Sequence, residues 1–112
     1  MDTTLNDAAF RLVSRSLASI DANLRAPQTD EERLSALRAR FPDAEPGEIA
    51  AAHDRAIRLE ETAIAMADAF RGPGDGRHGP PLTRESLAER CPGFSDESYG
   101  WAVNDGFTAT RK

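Results

Sequence analysis

The chain has 112 residues and a single cysteine, Cys91, so it cannot close an internal disulfide. That excludes the small secreted scaffolds that replace a core with crosslinks. Lysine is nearly missing as well: Lys112 stands alone against thirteen arginines. Basic residues are outnumbered 14 to 19, for a formal net charge of −5. Gripping nucleic-acid phosphates requires clustered Lys and Arg, so nucleic acid is not the expected partner. No apolar run exceeds a few residues, so no segment is expected to span a bilayer. The polar start Met1-Asp2-Thr3-Thr4 lacks the basic region and apolar stretch of a secretory leader, and a cytoplasmic location is the expectation. Bulky apolar residues are scarce too. Leu, Ile, Val and Phe together number 20, close to the level below which chains fail to fold.

Alanine is what the sequence has instead, 19 residues of it. Alanine has the highest helix propensity but buries little area. The expectation is an all-α fold with a thin core, completed by self-association. The preference for Arg over Lys equally suits a coding bias that inflates alanine.

Capping signals and apolar spacing divide the chain. A first helix is expected over residues 6–24, capped by Thr3 or Thr4, with Leu5, Ala9, Leu12, Val13, Ser16 and Ile20 on one face. Asp7 and Arg11 form an i,i+4 pair on its wet side. The pattern Thr29-x-x-Glu32 is a capping box that opens a second helix, which Pro42 ends after Leu34, Leu37 and Phe41. Pro46 suits the first position of a long central helix over residues 46–71. A glycine- and proline-rich linker follows over 72–81, then a helix–turn–helix hairpin over 82–112. In the hairpin, Thr83 and Ser95 act as caps, Leu82 and Phe94 staple onto Leu87 and Tyr99, and Asn104-Asp105-Gly106 is the expected stop. The tail from Thr108 is expected to fray. The whole is one small domain: a three-helix bundle over 1–71, the linker, and the hairpin. At an offset of 50, Leu37-x-x-Arg40-Phe41-Pro42 matches Leu87-x-x-Arg90-Cys91-Pro92, which suggests a repeated helix–turn–helix unit.

The central helix carries the candidate site. Ile49, Ala52, Ala56, Leu59, Ala63, Met66 and Phe70 form a heptad seam about three heptads long. His53 and Glu60 lie on this apolar face, roughly 10.5 Å apart along the axis. Unpaired burial of such groups is costly, so each must meet a partner. Such a seam packs either within one chain, as the central helix of a bundle, or across a dimer; in an antiparallel dimer, His53 of one chain would face Glu60 of the other. The expected interface is therefore Ile49, His53, Ala56, Glu60 and Ala63, with Trp101 as either an exposed anchor or a clasp onto the bundle.

These features point to a small non-catalytic accessory or regulatory protein, homodimeric or bound to another protein, with no cofactor and no metal. One alternative is a nucleic-acid-binding regulator using the C-terminal hairpin, though its recognition helix would begin Ser95-Asp96-Glu97. The other is a helical-bundle metalloprotein using His53 and Glu60, although the Glu-x-x-His pairs of carboxylate-bridged bundles are missing. Cys91 reads as a small buried hydrophobe at a helix C-terminus, and His78 as a solvated linker residue.

Overall fold

The computed structural model describes residues 2–20, 29–70 and 81–110. Among them are six helices and no strand: α1 (Thr4–Val13), α2 (Arg15–Ile20), α3 (Asp30–Arg40), α4 (Pro46–Phe70), α5 (Arg84–Arg90) and α6 (Asp96–Ala109). The linker expected over 72–81, with His78, lies almost wholly outside the described residues, as does the expected end of the first helix over 21–24. No described helix is long and apolar enough to cross a membrane.

Local chemistry sets most helix starts. Thr29, Thr83 and Ser95 each accept a hydrogen bond from the backbone N–H three residues on, which satisfies a donor that the first turn leaves free. Thr83 and Ser86 complete a reciprocal box. The N-terminus differs from expectation. Thr3 is the N-cap residue, but its side chain makes no capping bond; Asp2 instead accepts from the Thr4 N–H at 2.9 Å and the Thr4 hydroxyl at 2.6 Å. Those bonds lower the pKa of the Asp2 carboxyl. Asp7 does not face water beside Arg11. It is half-buried, and its carboxyl accepts from the Ser95 N–H at 2.9 Å and the Ser98 hydroxyl at 2.7 Å, joining α1 to the start of α6.

The offset of 50 recurs in the backbone. α3 and α5 end at Arg40 and Arg90, and α4 and α6 begin at Pro46 and Asp96. The residues closing the first helix of each pair have similar dihedrals, φ −123°, ψ 67° at Phe41 and φ −133°, ψ 70° at Cys91. Each donates its N–H to the leucine four residues back, Leu37 or Leu87. Each leucine is buried, and a proline follows.

α4 is the axis of the fold. It packs chiefly against α1 and α6, with α3 and α5 on its flanks. One apolar cluster draws on all six helices, including Phe10, Leu17, Leu37, Leu59, Leu87 and Ala102. Alanine's role is close approach rather than bulk: Ala52, Ala56, Ala63 and Ala67 of α4 and Ala102 of α6 are all 0% exposed. Small side chains bring helices near enough for dense dispersion contacts, so a short supply of Leu and Phe still closes a core.

Two expectations fail at the ends of the core. The first helix is not continuous: Ser14 is extended, with ψ 127°, and separates α1 from α2. Residues 104–106 are not a stop, because α6 runs through them to Ala109 and Thr110 closes it, its N–H donating to the Gly106 carbonyl.

Candidate functional site

The heptad seam lies inside the chain. Ile49, Ala56 and Ala63 are at most 2% exposed, and His53 and Glu60 are 3% and 6% exposed. The expected interface residues of α4 are therefore covered by the chain's own helices. A dimer through this seam would require the fold to open. Trp101 is half-buried and packs against the core, as a clasp does.

His53 meets α3. Arg33 donates through Nε to His53 Nε2 at 3.0 Å, and Arg33 Nη2 lies 2.5 Å from Asp30 Oδ1. Nε2 must be unprotonated to accept. Burial first, and then the neighbouring Arg33 charge, lower the His53 pKa; Asp30 and Asp54 push weakly the other way. His53 is thus a neutral acceptor that fastens α3 to α4. Replacing Arg33 with Ala is expected to cost about 1 kcal/mol, the worth of one such hydrogen bond, and to raise the His53 pKa. Urea denaturation and NMR titration of the ring protons check the two effects. An unmoved His53 titration would remove Arg33 from this role.

Glu60 meets the break between α1 and α2. Its Oε2 accepts from the Arg15 N–H at 2.9 Å. Asp105 of α6, 1% exposed, accepts from the Ser16 N–H at 3.1 Å and from the Ser14 hydroxyl. Ser14 Oγ in turn accepts from the Leu17 N–H at 3.3 Å. Side chains of α4, α6 and Ser14 itself thus satisfy the first N–H groups of α2, which explains why the chain can leave the helix at Ser14. Glu60 Oε1 is buried with no hydrogen-bond partner. An ionised carboxylate there would sit desolvated beside a second carboxyl group. Burial, together with the Asp105 carboxyl beside it, pushes the Glu60 pKa up to about 8, against the pull of the Arg15 N–H. Glu60 therefore holds its proton at neutral pH.

His53 and Glu60 consequently face different neighbours and do not converge. Among the described residues, no group of three His, Cys, Asp or Glu side chains is placed to hold a metal ion. The start of α6, the would-be recognition helix, carries Asp96 and Glu97 and is bound by Asp7, an arrangement that repels phosphate.

One cluster escaped the sequence reading. Arg55 and Arg58 of α4 and Arg90 of α5 line a cleft of about 170 Å³ with Cys91, Pro92 and Phe94. All three arginines are exposed. Arg55 makes a 3.4 Å hydrogen bond to Asn6 Oδ1, and none of the three arginines has an ion pair among the described residues. Cys91 is buried, and its free thiol forms part of the apolar core under the cleft. The i,i+3 spacing of Arg55 and Arg58 was visible in sequence, but Arg90 joins them only because α5 packs on α4. No family model, curated protein or solved structure matches the chain.

Proposed function

We propose that this chain is a non-catalytic interaction module, an accessory or regulatory protein that presents the outer face of α4 to a protein partner. One observation carries the reading. On the flank beside the buried seam, Gly47, Ala51, Arg55, Arg58, Thr62, Ala65 and Ala69 recur at helical spacing and are exposed or half-exposed. Three clefts follow this line. The first, of about 430 Å³, includes Gly47, Ala51 and Arg55; the second is the arginine cleft; the third, of about 290 Å³, includes Thr62, Ala65, Ala69 and Arg90. Small side chains make a floor on which another backbone can lie close, and the buried polar contacts hold that floor rigid. Rigid presentation lowers the entropy cost of binding.

Self-association belongs to this proposal only through a surface other than the buried seam. A native mass spectrum of the untagged protein reads subunit number directly. For the outer face, Ala65→Trp would fill the floor without touching the core, since Ala65 is exposed. The variant should keep its helical circular dichroism and lose at least tenfold in affinity for a partner captured by wild type. Undiminished binding by a folded Ala65→Trp would mean that the outer face of α4 is not the contact.

A further inference from the structure

We propose that the arginine cleft binds an acidic helical segment of a partner protein, receiving its carboxylates between Arg55, Arg58 and Arg90. This deepens the interaction reading and rests on it.

Charge is the first ground. A chain of net charge −5 gathers three exposed arginines around one cleft, and none of the three has an ion pair among the described residues. Like charges held together without counter-charges repel, and an incoming anion relieves that repulsion. Guanidinium groups also match carboxylates by paired, planar hydrogen bonds. Shape is the second ground. Pro92 and Phe94 give the cleft an apolar wall, and the small residues Ala65 and Ala69 continue the floor beyond Arg90. An amphipathic helix fits such a surface, with acidic side chains over the arginines and small apolar ones along α4.

Other occupants fit less well. A second copy laid antiparallel on this face would bring its own Arg55 and Arg58 against the same residues. Nucleic acid would meet Asp2 and Glu48, which line the neighbouring cleft at Arg55, and the acidic first turn of α6. At about 170 Å³ the cleft takes carboxylate groups rather than a large ligand.

The test uses the full chain and a blocked 16-residue Glu/Ala helical peptide, with a Lys/Ala peptide of the same pattern as control. Calorimetry at low and at moderate salt reads affinity. The Glu peptide should bind, weaken severalfold as salt rises, and lose at least tenfold with Arg58→Ala/Arg90→Ala. The charge-matched double variant Arg38→Ala/Arg40→Ala, on α3, should bind as wild type does. Circular dichroism confirms that both variants are folded. Equal losses in the two double variants would reduce the effect to net charge and overturn the proposal, as would duplex DNA binding more tightly than the Glu peptide. A natural partner recovered equally on wild type and on Arg58→Ala/Arg90→Ala would also overturn the cleft, while leaving the interaction reading standing.

Discussion

Glu60→Gln should make the protein more stable in alkali and change it little in mild acid. In the folded state Glu60 has its pKa pushed up to about 8, against 4.5 for the group in water. Between those values the folded chain holds a proton that the unfolded chain has released. Unfolding then loses that proton, so stability falls as pH rises through this window and levels off above about 8. The favourable contribution is complete below 4.5 and gone above the folded pKa. The shift corresponds to a loss of the order of 5 kcal/mol, a large share of the 5–15 kcal/mol that holds a typical domain. Glutamine keeps the shape, offers a carbonyl to the Arg15 N–H and an amide to Asp105, and carries no charge to desolvate. Urea denaturation at pH 5, 7 and 9 measures the difference between variant and wild type. It should be within about 1 kcal/mol at pH 5 and favour glutamine by several at pH 9. Taking the difference cancels His53, whose lowered pKa acts oppositely, costing stability as pH falls through 6.5. At pH 9 the amides of Arg15, Ser16 and Leu17 should exchange faster in wild type than in Glu60→Gln, because their acceptors are Glu60, Asp105 and Ser14. Equal stabilities at pH 9 would mean that Glu60 is not held protonated.

The same residues show where the sequence was legible. Helix type, the starts at Thr29, Thr83 and Ser95, the long helix from Pro46 and the turn at Cys91-Pro92 were all readable, because each depends on residues within four positions of one another. Helical spacing also places His53 and Glu60 on the apolar face, which the structure buries. Their partners do not follow from it. Arg33 is twenty residues from His53, Arg15 is forty-five from Glu60, and nothing local marks either pairing. The break at Ser14 was hidden for the same reason, since a serine in a helical pattern looks ordinary until Asp105 reaches it across the fold. Heptad spacing marks the seam as apolar and suits packing inside one chain or across a dimer alike. It says only that a helix meets helices, and α1 and α6 of the same chain fill that role. The arginine cleft was the least legible feature, being assembled from two elements whose separate charges look like solvated surface.

Gly106 was mistaken for a helix stop, and substituting it should be severely destabilising. It lies inside α6 and is buried, an unfavourable place for glycine, which costs about 1 kcal/mol relative to alanine in a helix interior. The reason is the crossing with α4. A Cβ at this position would lie 2.6 Å from the Ala63 carbonyl oxygen, 3.1 Å from the Ala63 carbonyl carbon and 2.8 Å from Leu82 Cδ2. The leucine methyl can rotate away. The Ala63 backbone cannot, because it belongs to the middle of the 25-residue α4. A side chain at 106 must therefore push α6 off α4, separating Ala63, Ala67 and Ala102, which have no atoms to refill the gap. Overpacking of this kind costs about 1–3 kcal/mol, which outweighs the propensity gain for alanine. Valine adds two methyls and is stiff in a helix, so Gly106→Val should lose about 3 kcal/mol or more. Gly100 of the same helix is the control. A Cβ there meets only Arg84 Cδ at 3.7 Å, an ordinary contact, so Gly100→Ala should gain up to about 1 kcal/mol from propensity alone. Thermal and urea unfolding of the three variants decide the matter. If Gly106→Ala were stabilised like Gly100→Ala, the close crossing of α4 and α6 would be wrong, and alanine would have to serve some purpose in this core other than close approach.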